Sequence, residues 1–168
     1  MPRELVTERL VLRAFTAADG DAVVRYLGDF QVSRWLAQVP HPFSHDDLML
    51  VREGGQSRWP ELMAITFEGV VVGAVINTED LGYWIAPELW GQGFATEATS
   101  AVIDRVFRDS PVADIRSGYL SGNAASARVL QKLGFTQTGQ STVFVKPLGK
   151  EAEQIDLLLD RETWVSMQ

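Results

Sequence analysis

Residues 82–98 read GYWIAPELWGQGFATEA: an apolar strand runs into Pro87, passes Gly91 and Gly93, and leaves as a helix with Thr96 and Glu97 in its first turn. Asparagine or serine would cap that helix with a side-chain hydrogen bond, so glycines at the turn need a separate reason. A strand that feeds a helix N-terminus leaves N–H groups without intrahelical acceptors, with the positive end of the helix dipole behind them. Such a turn can hold an anion. Glycine lets a bulky phosphate approach the main chain with no β-carbon in the way, and Thr96 adds a hydroxyl donor. From glycine spacing alone, a tight turn that needs positive φ is the stronger reading. The stretch lacks the Lys-Ser/Thr ending of a P-loop and follows a strand meander instead of opening a βαβ unit, which excludes two other phosphate-binding turns.

Upstream of the turn, RLVLRAF alternates apolar and polar residues as a half-buried strand does, and Thr16 precedes a helical AADGDAVVRYL. Residues 29–59 are irregular, broken at Pro40-His41-Pro42, with Ser44 as the expected cap of HDDLMLVREG; this segment reads as a flap. Residues 61–80 read as two strands joined at Glu68-Gly69, followed by the strand LGYWIA. Downstream, Ala98, Ala101, Val102, Val106 and Phe107 fall at helical spacing, and VADIRSGYL is a strand. Asn123 caps AASARVLQKL, which Gly134 and Phe135 terminate, and STVFVKPL with EQIDLLLD closes the chain as a hairpin before a short helix.

The chain has 168 residues, 46% hydrophobic and 22% charged, with no apolar run near the roughly 20 residues that span a bilayer. One domain over residues 1–168 is expected, soluble and without a secretory leader. There is no cysteine, hence no disulfide framework, no thiolate metal site and no cysteine acyl-enzyme; a cytoplasmic location is expected. The net charge of -7 argues against broad nucleic-acid binding and is compatible with cationic small molecules or basic peptides. His41 and His45 have no third ligand nearby, so no metal is expected. Neither a nucleic-acid nor a membrane partner is expected, and a homodimer is allowed for.

Three stretches in this order, TERLVLRAF (7–15), GYWIAPELWGQGFATEA (82–98) and NAASARVLQKLGF (123–135), resemble the GNAT acetyltransferases, specifically the RimJ/RimL-like branch that includes ribosomal-protein N-terminal acetyltransferases. The resemblance implies an α+β GNAT fold, a mixed and largely antiparallel central sheet with helices on both faces, and acetyl-coenzyme A as cosubstrate. The family's pyrophosphate loop, Gln/Arg-x-x-Gly-x-Gly/Ala, falls on Trp90, Gly93 and Ala95; Trp90 departs from the general pattern. By this resemblance, main-chain donors of Gly91, Gln92, Gly93, Phe94, Ala95 and Thr96 cradle the pyrophosphate. The pantetheine arm lies along main-chain groups near Trp84 and Ile85, with Asn123 as a further contact. Arg128 and Lys132, at i and i+4 on one helix face, are candidates for the coenzyme phosphates, the alternative being a solvated pair.

Acyl transfer from a thioester to an amine needs a neutral amine, a polarised carbonyl and stabilisation of the leaving thiolate. Many relatives place a tyrosine in the later helix for the thiolate, where this chain has Val129 and Leu130. Ser126, in the first turn after Asn123, occupies the position of a serine suspected of that role in the branch; the alternative is support of the helix start. Tyr119 is the reserve acid. Glu79 and Asp80 precede the site strand and read as a solvated turn, and Glu97 complements the helix dipole. Trp35, Trp59, Trp84 and Trp90 are candidates for an aromatic acceptor pocket. The expected activity is direct acetyl transfer to a primary amine, a protein or peptide N-terminus slightly ahead of a small amine. A non-catalytic acyl-coenzyme A sensor and an interaction scaffold are the alternatives from other classes.

Overall fold

The computed structural model describes residues 4–48 and 62–168. Its strands are β1 (Leu5–Val6), β2 (Leu10–Arg13), β3 (Leu62–Phe67), β4 (Val70–Asn77), β5 (Leu81–Ile85), β6 (Asp114–Leu120), β7 (Thr136–Val145) and β8 (Lys150–Asp160). They form one sheet in the order β1-β2-β3-β4-β5-β6-β8-β7, antiparallel except for a parallel contact between β5 and β6. The helices are α1 (Gly20–Leu27), α2 (Phe30–Ser33), α3 (Phe94–Asp109), α4 (Ala124–Lys132) and α5 (Arg161–Ser166).

Period-2 alternation sends the sheet's side chains into two cores. Met63 and Ile65 of β3 pack with Phe94, Ala98, Val102, Ile103 and Phe107 of α3, while Ala64 between them packs with Val23 and Leu27 of α1 and Val32 of α2. Helices therefore cover both faces, as the resemblance implies. A bulge at Val72, opposite Ile65/Thr66, breaks the alternation of β4, so Val72 and Val75, three residues apart, both face the α3 side.

Local signals explain the connections. Glu68 (φ 52) and Gly69 (φ 82) make the two-residue hairpin turn with both central residues at positive φ. Asn123 caps α4 by accepting the Ser126 N–H at 3.2 Å. Gly134 (φ 93) ends α4, with the Phe135 N–H donating to the Leu130 carbonyl at 3.0 Å and Phe135 buried. Thr16 caps a 3-10 turn, Ala17–Asp19, that precedes α1. β7 starts at Thr136, earlier than the closing hairpin read from sequence, and β1 adds a two-residue edge. The helix expected after Ser44 covers residues 45–54; of these, 49–54 lie outside the described residues, as does Trp59.

Asp19 is 7% exposed and receives both Arg13 Nη atoms, at 2.8 and 2.9 Å, and the Thr16 N–H at 2.7 Å. Burial opposes its ionisation, but these bonds outweigh it and hold the carboxyl below its ordinary value. A depressed folded-state pKa adds stability above the unfolded value near 3.9, and that stability is lost as pH falls through the folded value. Asp19→Asn is expected to cost about 2 kcal/mol at pH 7 and to remove most of this acid-side loss, measured by denaturant melts between pH 7 and 3.

Candidate active site

β5 and β6 touch at one register pair, Leu81 with Ser117, reinforced by the Ser117 hydroxyl donating to the Leu81 carbonyl at 2.8 Å. Beyond it β5 stays with β4 and β6 stays with β8, so the sheet opens toward the end of β5. The Ala86 N–H donates to the Val72 carbonyl at 2.7 Å, which makes Gly73/Ile85 a non-hydrogen-bonded pair of the β4–β5 ladder. By alternation, the main-chain groups of Tyr83 and Ile85 point into the opening, whereas those of Trp84 are turned to Ala74. Of the two residues expected to offer main-chain groups, Ile85 faces the opening and Trp84 does not, and Tyr83 faces it as well. Trp90 donates its indole N–H to the Ile85 carbonyl at 2.8 Å, which leaves the Ile85 N–H as the donor and gives the aromatic residue at this motif position a structural task.

Gly91 and Gly93 both have positive φ (77° and 80°), and Gly93 is the N-cap of α3 with no side-chain cap bond. The turn thus requires glycine for backbone conformation, and a β-carbon at Gly91 would meet nothing within 4 Å. The first N–H groups of α3, from Phe94 to Thr96, precede the hydrogen-bonded ladder and face the same opening. The Gln92 carbonyl and side chain are engaged elsewhere: the carbonyl accepts from Arg9 Nη1 at 2.8 Å and the side-chain amide donates to the Glu88 carbonyl at 3.3 Å.

Glu97 does more than complement the helix dipole. It accepts the Thr7 hydroxyl at 2.5 Å, the Arg9 N–H at 2.8 Å and Arg9 Nε at 2.7 Å. Burial disfavours its charge, yet these bonds prevail and keep its pKa below the usual range.

Asn123 places Ser126 in the first turn of α4, and the Ser126 hydroxyl lies 2.8 Å from the hydroxyl of Tyr83 on β5. Sequence reasoning missed Tyr83: a tyrosine on a half-buried strand carries no sign of a partner 43 residues away. Burial, opposed by the Ser126 bond, pushes the Tyr83 hydroxyl up to about 12, so it stays protonated at neutral pH. Tyr119 on β6 packs against the larger core and lines the same opening.

These elements border one groove of about 1070 Å³. Ile85, Trp90, Gly91, Gly93, Phe94 and Ala95 line it beside Thr96, and α4 contributes Asn123, Ser126, Arg128, Val129 and Lys132. Trp35 and Trp84 also line it, the Trp84 ring lying 6.0 Å from Tyr26 of α1. Asp80 pairs with Arg116 at 3.4 Å on the surface, which fits the solvated turn. His41 lies against Phe30 and His45 is 3.5 Å from Asp21; among the described residues no three His, Asp or Glu gather as a metal site would need.

A strand opening that ends in a positive-φ glycine turn before a helix is the arrangement the sequence motifs implied, and residues 9–136 match the acetyltransferase (GNAT) domain family. The chain belongs to the GNAT acetyltransferases. Its reaction is N-acetyl transfer, with acetyl-coenzyme A as the family's donor. It is 27% identical over 161 residues to the uncharacterized N-acetyltransferase p20 of Bacillus licheniformis, covering 87% of this chain and 89% of p20. It superposes with a TM-score of 0.77 on a ribosomal-protein-S5-alanine acetyltransferase from Vibrio fischeri, at 20% identity, over 96% of this chain and 98% of that one. With a spermidine N-acetyltransferase from Vibrio cholerae in complex with coenzyme A and spermine the TM-score is 0.78, at 17% identity, over 94% and 98% of the two chains. At such identities these structures share the fold and leave the acceptor open. No helix among the described residues is long and apolar enough to cross a membrane.

The residues present suit a coenzyme A diphosphate: free helix N–H groups, a turn with no β-carbon at Gly91 or Gly93, and the cations Arg128 and Lys132 on one groove. Gly93→Val in this GNAT chain is expected to raise the donor KM at least about tenfold, equivalent to roughly 1.4 kcal/mol of binding. Positive φ at this position adds backbone strain, so thermal midpoint and donor affinity must be measured together. A folded variant with unchanged donor affinity would show that the turn holds no phosphate.

Proposed function

We propose that this acetyltransferase binds the acetyl-coenzyme A diphosphate on the N–H groups between Gly91 and Thr96 and transfers acetyl directly to a primary amine, a protein or peptide N-terminus ahead of a small amine, in the cytoplasm. The observation that carries the reading is the hydroxyl pair of Ser126 and Tyr83, bonded at 2.8 Å in the groove that also contains the glycine turn. In this reading the Ile85 N–H, directed into the strand opening, polarises the thioester carbonyl. The amine attacks, the carbon–sulfur bond breaks, one proton leaves nitrogen and one arrives at sulfur.

A thiol has a pKa near 8.5, so full proton donation from a tyrosine at about 12 is uphill. The hydroxyl pair acts instead by hydrogen bonding to charge as it develops on sulfur. Ser126 makes that contact and Tyr83, donating to Ser126, strengthens it; a chain of such bonds polarises along its length. Tyr119 is the reserve for the same task.

Ser126→Ala should lower kcat and kcat/KM together by about ten- to a hundredfold with coenzyme affinity nearly unchanged, because the interaction grows as charge develops. Tyr83→Phe is expected to give a smaller loss of the same kind, and Tyr119→Phe little change. A serine that only supports the helix start would lower the thermal midpoint and leave turnover intact at low temperature. Normal kcat for Ser126→Ala with a large loss for Tyr119→Phe would move the role to Tyr119.

Initial-rate patterns should be sequential, since a chain without cysteine lacks the commonest acyl-enzyme nucleophile. Parallel double-reciprocal lines with an isolable acetyl-protein would contradict direct transfer. Binding of acetyl-coenzyme A without amine-stimulated thiol release would favour a sensor.

A further inference from the structure

The part of the groove against α1 and α2 is walled by Phe15, Leu27, Trp35, Leu36, Phe43 and Trp84. Charge is sparse there, with Asp47 and Lys146 the charged residues not already given to the coenzyme phosphates. Among the described lining residues the charged ones are Asp47, Arg128, Lys132 and Lys146, three cations to one carboxylate, in a chain whose net charge is -7. Asp47 is occupied, accepting the Ser44 N–H at 2.8 Å and the Ser44 hydroxyl at 3.0 Å. Lys146 sits beside the apolar wall, its N–H bonded to the Ala37 carbonyl at 2.9 Å. A polyamine or aminoglycoside entering this space would shed water from several ammonium groups with one carboxylate, Asp47, among the described lining residues to replace it.

The amine's own acidity points the same way. Asp80 pairs with Arg116 on the surface, and neither it nor Glu79 lines the groove. An α-amine, with pKa about 7.7–8.0, is roughly one-tenth neutral at pH 7, whereas a lysine-like amine near 10.4 is neutral in well under about one molecule per thousand. Apolar walls disfavour the ammonium further, and an α-amine needs the least help to become the nucleophile. The adjoining side chain then occupies the aromatic wall, where a large apolar group buries the most surface.

On the strength of the acetyltransferase reading above, we infer that the acceptor is the α-amine of a peptide or aminoacyl amide whose first side chain is bulky and apolar, in contrast to the alanine or polyamine acceptors named for its structural neighbours. Trp35 and Trp84 hold that side chain, and Lys146 turns polycations away.

The test is thiol release from acetyl-coenzyme A with peptides that differ only in their first residue, Phe, Leu, Ala, Ser or Asp, alongside phenylalanine amide and spermidine. Phe- and Leu-initiated peptides are expected to exceed Ala, Ser and spermidine at least tenfold in kcat/KM. Phenylalanine amide tells a free aminoacyl group from a chain: equal turnover assigns recognition to the side chain alone, and a lower rate adds peptide contacts. Trp35→Ala should erase about tenfold of the Phe-over-Ala preference without raising the donor KM in step; Leu36→Ala is the second variant should the first not fold. Equal or better turnover of Ala, Ser or spermidine overturns the acceptor inference and leaves acetyl transfer standing. No thiol release with any amine, from protein that still binds acetyl-coenzyme A, overturns acetyl transfer and the inference with it.

Discussion

The site depends on the separation of β5 from β6 after a single register pair at Leu81 and Ser117. Strand edges inside a protein are costly when their N–H and C=O groups lack partners, so a sheet that splits must satisfy the exposed edges or offer them to a ligand. This chain does both. The Ser117 hydroxyl closes the apex on the Leu81 carbonyl, and the Trp90 indole takes the Ile85 carbonyl at the open end. Between them the N–H groups of Tyr83 and Ile85 face the opening. β6 meanwhile leads into α4, whose Asn123 cap sets Ser126 across from Tyr83, so the two halves of the divided sheet meet again through a pair of hydroxyls.

The glycine turn is held from outside the groove. Thr7 and Arg9, from the strand region at the start of the chain, converge on Glu97 in the first turns of α3, and Arg9 also binds the Gln92 carbonyl and lies 4.2 Å over the Phe94 ring. This explains why TERL and GFATEA occur together: they are two sides of one contact. It also has an electrostatic effect. A free carboxylate near a helix N-terminus would oppose a bound phosphate, whereas one neutralised by a guanidinium leaves the positive potential of the N–H groups largely intact.

What could be read from the sequence was local. The Glu68-Gly69 hairpin, the Asn123 cap and the Gly134-Phe135 helix end each depend on residues within a few positions, and each stands as read. The interleaving of β8 between β6 and β7 could not be read, since a terminal hairpin gives no sign of which arm pairs inward. The Tyr83–Ser126 bond was hidden for the same reason: it arises from strand divergence, a property of the assembled sheet. Trp90 looked like a departure from a motif because the motif describes a side chain, whereas here the indole braces the end of β5.

Net charge and local charge differ most in the groove. A chain at -7 is compatible with cationic ligands, while three of the four charged residues among the described groove lining are positive. The two facts are consistent because field strength in a cleft is set by the nearest charges in a low-dielectric wall, while surface charges farther off are screened within about 8 Å at physiological ionic strength. Arg128 and Lys132 suit a polyanionic donor, and the apolar wall against α1 and α2 is the ground on which an acceptor amine with little charge of its own is inferred. The charge a ligand meets is thus read from where each side chain lies and not from their sum.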